Sequence, residues 1–348
     1  MKICVYGAGA IGGLIAAKLA LDGNEVTIID RGPHLQAINE RGILLREKGG
    51  TSVGTKVRAV QNAHEAGPHD LWILAVKTYS LPEIAADVAR AAIEDAVILT
   101  VQNGIPWWYF HKACGAFNGK RLERLDPTGA LQGTIDLDRV IGCVAYPAAR
   151  IVAPGIIEQL EGDYFPVGEL DGAKSIRATA IANAFLSSGL RSRVLEDIRA
   201  EIWLKGIGTL AFNPISALTH CTMGEICSKD LTRDLAKGIM QEAEAVATAL
   251  GVTMRHTIDR RLEGAQAVGH HKTSMLQDIE KGQPIELEAL VGVFIELSSL
   301  VGKCTPLIQA IYSLVQLLSQ KCEEQGALDF FARSGNEGSD VPLCASSE

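Results

Sequence analysis

Lys205, Thr209 and Asn213 stand one helical turn apart in the stretch Trp203-Leu204-Lys205-Gly206-Ile207-Gly208-Thr209-Leu210-Ala211-Phe212-Asn213-Pro214. Spaced i, i+4 and i+8, they share one helix face flanked by apolar residues. A lysine there, beside two glycines, can sit against a ligand with little steric obstruction, and desolvation would lower its pKa towards the range useful to a general acid. From spacing alone, a lysine snorkelling from a helix edge is the stronger account. Pro214 denies the Leu210 carbonyl its usual partner, which predicts a kink that aims the Asn213 side chain. Further on, Glu286 opens a helix whose dipole favours an ionised carboxylate, whereas Asp278 and Glu280 read as solvated helix charges. His270 and His271 are adjacent and would point about 100° apart on a helix, so they read as surface or cofactor-side residues and not as a metal pair.

The second chemical signal lies at the start of the chain. Gly7-Ala8-Gly9-Ala10-Ile11-Gly12 follows the β-prone run Ile3-Cys4-Val5-Tyr6 and precedes a helical stretch from Leu14 to Leu21. The next strand, Glu25-Val26-Thr27-Ile28-Ile29, stops at Asp30, followed by Arg31. Strand, glycine turn, helix, strand and acid within about thirty residues is the order a dinucleotide site requires. Gly7 permits the tight turn, Gly9 lets backbone approach a pyrophosphate, and Gly12 lets helix and strand pack closely. The helix N-terminus offers free N–H groups and a positive dipole end to phosphates. Met1-Lys2 before an apolar run also suits a signal peptide, but Lys18, Asp22 and the internal glycines argue against one.

The elements that must position these groups follow in order. Pro33 to Arg41 reads as a helix, and short strands are expected at Gly42 to Leu45 and Val57 to Val60. Asp70 to Val76 is a buried strand ending at Lys77, Leu81 to Ile93 a helix, and Ala96 to Val101 a strand ending at Gln102-Asn103. Strands alternating with helices imply a doubly wound, mostly parallel sheet, whose ligands sit outside the carboxyl ends of the strands. Gly7, Asp30, Lys77 and Asn103 all fall at such ends. Trp107 to Asp138 opens on an aromatic cluster and suits either a substrate wall or a packed loop anchor. Short strands at Val140 to Pro147, Gly155 to Leu160, Tyr164 to Val167 and Leu190 to Val194, with a helix from Ala173 to Ser187, complete this part. From Glu196 the periodicity is helical, clearest over Asp230 to Leu250, Pro284 to Val301 and Pro306 to Glu324. The expected organisation is an α/β dinucleotide-binding domain over 1–195, an all-α domain over 196–333 with the cleft between them, and a disordered tail over 334–348.

Composition narrows the partners. A net charge of −8 gives no basic footprint for nucleic acid or an anionic membrane, and no apolar run reaches transmembrane length. Eight scattered cysteines without a CxxC pair suggest reduced thiols in the cytoplasm. Cys221 and Cys227 near His220 fit no standard metal spacing, so no metal is expected. A homodimer is compatible with these features.

Taken together, GAGAIGG at the start, AVKTY around Lys77, VQNGI around Asn103, WLKGIGTLAFNPISALT around Lys205 and SMLQDIEKGQPIELEALVG around Glu286 resemble the ketopantoate reductase (2-dehydropantoate 2-reductase) family, from Met1 to about Gln320. The resemblance implies an N-terminal Rossmann domain followed by an all-α domain, and NAD(P)H-dependent reduction of a 2-oxo acid to a 2-hydroxy acid. It makes Lys205 the general acid and Glu286 the partner of the substrate's hydroxyl, both catalytic. Asn103, Thr209, Asn213 and Ser274 would bind substrate, Ser274 near its carboxylate. Gly7, Ala8, Gly9, Ala10, Ile11, Gly12, Asp30, Arg31, Lys77 and Asn103 would bind the dinucleotide. Thr209 stands where the family usually has asparagine, which alters the substrate pocket because a hydroxyl offers fewer hydrogen bonds than an amide. Arg31 suits the 2′-phosphate of NADP, whereas Asp30 suits the 2′-hydroxyl of NAD and inclines the reading towards NAD. Two alternatives are a catabolic NAD-dependent hydroxy-acid dehydrogenase of the same family and a non-catalytic dinucleotide-binding regulator; the latter has no use for Lys205 and Glu286 together.

Overall fold

The computed structural model describes residues 1–269 and 271–325, so the expected tail over 334–348 and His270 lie outside the described residues. The chain groups into two compact units, Met1–Lys205 and the residues from Gly206.

In chain order the first unit holds β1 (Lys2–Tyr6), α1 (Ala10–Leu21), β2 (Glu25–Ile29), α2 (Gly32–Arg41), β3 (Ile43–Arg46), β4 (Ser52–Thr55), β5 (Arg58–Val60) and α3 (Ala63–Ala66). It continues with β6 (Leu71–Leu74), α4 (Leu81–Ala91), β7 (Val97–Thr100), α5 (Ala130–Thr134), β8 (Val140–Cys143), β9 (Ala148–Ala153), β10 (Ile156–Glu161), β11 (Val167–Glu169) and α6 (Ile176–Ser187). Helix α7 (Ile198–Thr219) begins in this unit. The larger sheet runs β11-β8-β7-β6-β1-β2-β5 and is parallel except for the β11–β8 edge. Chain order therefore reverses direction across β1 and β6, the switch point at which such sheets bind ligands. Strands β1, β6 and β7 are almost wholly buried, because helices cover both faces of a parallel sheet and the strands must be apolar throughout.

The expected strands and helices appear with shifted ends, and α1 starts earlier than its apolar periodicity suggests, at Ala10. Two features differ, and one open alternative is decided. Strands β3, β4, β9 and β10 form a separate four-stranded sheet, order β4-β3-β10-β9, packed on α1. Gly13 of α1 makes room for it, since a Cβ there would stand 2.8 Å from Ile157 Cδ1 on β10. The stretch from Leu190 to Val194 makes only isolated bridges, Tyr164 with Arg191 and Val167 with Val194. Between them the Phe165 carbonyl accepts from the Ser192 hydroxyl at 2.6 Å, while the Phe165 and Val167 N–H groups donate to the Arg191 and Arg193 carbonyls. Trp107 to Asp138 is a packed anchor: Trp107, Trp108, Tyr109 and Phe110 are each at most 3% exposed. Trp108 lies over Gly142 of β8, and its indole N–H donates to Thr100 Oγ1 at 2.9 Å.

The second unit is helical, as the periodicity implies. It comprises the rest of α7, then α8 (Met223–Ser228), α9 (Asp230–Ala249), α10 (Ile258–Val268), α11 (Ser274–Glu280), α12 (Val293–Leu300) and α13 (Pro306–Gln325). Helix α7 continues through Pro214 to Thr219. Instead of one α-helix from Pro284, a π-helical turn over Glu288–Gly292 leads into α12, and Tyr312 Oη donates to Glu288 Oε1 within it at 2.6 Å. Glu242 of α9 accepts from the Leu307 and Ile308 N–H groups, both at 2.9 Å, which satisfies otherwise orphaned donors at the start of α13. No helix among the described residues is long and apolar enough to cross a membrane.

Gly12 is tightly enclosed: a Cβ there would stand 1.9 Å from Gly7 O and 2.9 Å from Ala75 Cβ. Backbone cannot yield as a side chain can, so Gly12→Ala should cost about 3 kcal/mol or more. That lowers Tm by about 10 °C in a domain of this size, or prevents folding. A Cβ on Gly9 meets nothing within 4 Å, so Gly9→Ala should melt within about 2 °C of wild type. Melting curves followed by circular dichroism separate the two variants; equal losses would show that the turn is not held by this contact.

Candidate active site

The glycine turn leaves β1 with Gly7 at φ +96°, a conformation open to glycine, and the Gly7 N–H donates to Ile29 O at 2.9 Å. A Cβ on Gly7 would press on Val76 Cγ1 at 2.9 Å, so the turn lies directly on the chain leaving β6. Gly9 caps α1 without a side-chain oxygen. Its surroundings are open, as noted above, while Ala8 is fully buried. A pyrophosphate group needs backbone N–H donors that side chains do not crowd, and this turn provides them.

Asp30, half-buried at the end of β2, is tied to the same turn. Its Oδ2 accepts from the Ala8 N–H at 2.9 Å and its Oδ1 from the Arg31 N–H at 2.7 Å. The Arg31 side chain is exposed. Lys77, half-buried, caps the 3₁₀ turn Thr78–Ser80 that follows β6. Sequence reasoning missed His34 on α2, whose Nε2 meets Ala8 O at 2.9 Å and whose Nδ1 accepts from the Gly155 N–H at 3.0 Å. It also missed Gln102, whose amide donates to Leu74 O at 2.7 Å and so ties the end of β7 to that of β6.

Asn103, one residue further along, meets Lys205: the Lys205 ammonium donates to Asn103 Oδ1 and to the Ala145 carbonyl. These residues, separated by about a hundred positions, come together at the carboxyl end of β7. The lysine is half-buried and therefore does not snorkel from a free edge. Around it α7 is anchored at each turn. Glu201, buried at 3% exposure, accepts from Tyr146 Oη at 2.8 Å. Trp203 donates to Tyr109 Oη at 2.7 Å, and burial pushes the Tyr109 phenol up to about 12. Arg199 donates to the carbonyls of Tyr109, Leu170 and His111, and burial lowers its pKa, although a guanidinium stays charged. Burial also raises the pKa of the Cys143 thiol, an effect that the nearby Lys205 opposes. That thiol stays protonated and takes no part as a nucleophile. The spacing of Glu201 one turn before Lys205 was the available signal for this support.

Thr209, Asn213, Ser274 and Glu286 belong to the second unit. Thr209 and Asn213 lie on α7, Asn213 buried at 5% exposure and Thr209 half-buried. Ser274 begins α11, behind Thr273, whose hydroxyl accepts from the Leu276 N–H. Glu286 immediately precedes the helical turn leading to α12 and is 6% exposed. His271 is half-buried, and its carbonyl accepts from the Met223 N–H.

The family model described as Ketopantoate reductase PanE/ApbA matches residues 3–172, and its C-terminal counterpart matches residues 197–319. The 2-dehydropantoate 2-reductase of Mesorhizobium japonicum is 47% identical over 320 residues, covering 92% of this chain and 98% of that protein. Among solved structures, a Ralstonia solanacearum MolK2 protein assigned to the ketopantoate reductases superposes with a TM-score of 0.87 at 34% identity, covering 92% of this chain and 98% of that one. A D-mandelate dehydrogenase solved with NADH and anilino(oxo)acetate has a TM-score of 0.80 at 21% identity, covering 93% of this chain and 100% of its own; at that distance only the fold is shared. With such identity along nearly its whole length, this chain belongs to the ketopantoate reductase family.

Proposed function

We propose that the protein reduces a 2-oxo acid, ketopantoate, to the 2-hydroxy acid pantoate with a reduced nicotinamide dinucleotide. The observation that carries this reading is the Lys205 ammonium, held by Asn103 Oδ1 and the Ala145 carbonyl at the carboxyl end of the sheet. When bound, the dinucleotide supplies a hydride to the substrate's carbonyl carbon. The turn from Gly7 through Ala8, Gly9, Ala10 and Ile11 to Gly12 would hold its phosphates, with Asp30 and Arg31 at the adenosine ribose and Lys77 and Asn103 beside the nicotinamide half. Lys205 Nζ gives its proton to the carbonyl oxygen as negative charge develops there, and its charge stabilises the same oxygen beforehand. By the family resemblance, Glu286 would accept a hydrogen bond from the substrate's hydroxyl, and Thr209, Asn213 and Ser274 would bind the acid, Ser274 at its carboxylate.

Of the two coenzymes, we assign the preference to NADH. Asp30 is fixed by two backbone N–H groups, so its carboxylate does not readily turn away. A 2′-phosphate about 4 Å from it would be repelled by roughly 4 kcal/mol at an effective dielectric near 20. Arg31, exposed, offsets part of that for NADPH.

Purified protein assayed with a panel of 2-oxo acids and both coenzymes, read by the absorbance of the reduced nicotinamide, tests the activity; no turnover of ketopantoate with either coenzyme would refute it. Lys205→Ala is expected to cut kcat by about 10² to 10⁴ while dinucleotide binding stays near wild type, and near-normal turnover would remove Lys205 from the reaction. Glu286→Ala should lower kcat and raise KM for the oxo acid; a change in Tm alone would make Glu286 a structural carboxylate. For the coenzyme, Asp30→Ala is expected to raise kcat/KM for NADPH relative to NADH, and Arg31→Ala to depress chiefly NADPH. A wild type that prefers NADPH strongly, with Asp30→Ala leaving the ratio unmoved, would give the choice to Arg31.

A further inference from the structure

We infer that His34, in its neutral Nε2–H form, is a positioning residue for the dinucleotide's phosphate turn. The inference rests on the turn being a dinucleotide site. Gly155 N–H donates to His34 Nδ1 at 3.0 Å, which makes Nδ1 an acceptor and leaves the proton on Nε2. That proton is then donated to Ala8 O at 2.9 Å. The other tautomer would set two donors against each other at Gly155 and two acceptors at Ala8, and the imidazolium would repeat the first conflict.

What this accomplishes follows from peptide geometry. Ala8 C=O and Gly9 N–H belong to one planar trans unit and point in opposite directions. Holding the carbonyl on the His34 side turns the Gly9 N–H the other way, and at Gly9 the turn is open. Donation to the carbonyl also polarises the peptide and strengthens its N–H as a donor. On the preceding peptide unit, Asp30 holds the Ala8 N–H. The Ala8 residue is thus gripped at both polar atoms, by the end of β2 and by α2. Through Gly155, the turn between β9 and β10 sets the imidazole in place, so the second sheet is connected to the phosphate turn.

Three substitutions separate the two hydrogen bonds. In His34→Gln the amide nitrogen stands where Nε2 was and still donates to Ala8 O. In His34→Asn the side-chain oxygen stands where Nδ1 was, so the Gly155 contact survives and the Ala8 contact is lost. His34→Ala loses both. Affinity of the full chain for NADH and NADPH, measured by titration calorimetry, should fall about tenfold for His34→Asn and His34→Ala, the upper range for one hydrogen bond. His34→Gln should stay within about threefold of wild type, and kcat at saturating coenzyme should stay within about twofold for all three. A proton–nitrogen correlation spectrum of histidine-labelled, ligand-free protein should show His34 as the Nε2–H tautomer. An Nδ1–H tautomer, wild-type affinity in His34→Asn and His34→Ala, or equal losses in His34→Gln and His34→Ala would each overturn the assignment. Wild-type protein that binds neither dinucleotide would instead overturn the functional reading.

Discussion

Helix α1 comes so close to the ends of β1 and β6 that a single methyl group on Gly12 would overlap the Gly7 carbonyl. Most of the first unit's arrangement depends on that approach. It brings the N-terminus of α1 over the carboxyl edge of the sheet, where its unpaired N–H groups and dipole face outward. It also presents Gly13, about 100° further round the helix, as a shallow place into which Ile157 packs and on which the second sheet rests. That sheet carries the Gly155 turn, which fixes His34 against Ala8. A local steric allowance at two glycines thus determines where an entire sheet docks, and the docked sheet in turn steadies the glycine turn.

Lys205 is placed by a different device. Helix α7 is held at two pairs of residues, each pair one turn apart. Arg199 and Trp203 both grip Tyr109, at its carbonyl and its hydroxyl. Glu201 and Lys205 both grip the segment after β8, at the Tyr146 hydroxyl and the Ala145 carbonyl. A hydrogen bond from a charged donor contributes about 1.5–3 kcal/mol, so loosening α7 here breaks several such contacts together. The long connection from Trp107 onwards therefore has a mechanical purpose: its buried aromatic cluster is the surface to which the helix carrying Lys205 is fixed.

Period and punctuation made most of this legible in the sequence. The buried runs at Ile3, Leu71 and Val97 each end where a polar or glycine residue must leave the sheet, which placed Gly7, Lys77 and Asn103 at one edge. The second sheet was illegible because its evidence is the shape of Gly13, and a glycine inside a helix reads in sequence only as a cost. Strand β9 was likewise hidden, since its exposed Ile151 and Val152 give no alternation. The candidate chemistry at Lys205 was visible as spacing, yet spacing alone favoured a surface lysine; the half-buried position and the Asn103 contact reverse that. His34 carried no signal, because its contacts are to backbone atoms far along the chain, Ala8 and Gly155.

Two of the acceptors that orient Lys205 are neutral oxygens, one from an amide side chain and one from the backbone. That choice matters for the role proposed for Lys205, in which it gives up a proton and attracts an anion. A carboxylate at the same distance would hold the proton by several kcal/mol at an effective dielectric near 20, and would repel the carboxylate of an incoming oxo acid. Carbonyl oxygens direct the N–H bonds without adding charge of their own. The price is paid in precision of placement, because a neutral acceptor grips more weakly than a charged one. The other three anchors of α7, Arg199, Glu201 and Trp203, compensate by fixing the helix itself, so that Lys205 needs only to be aimed.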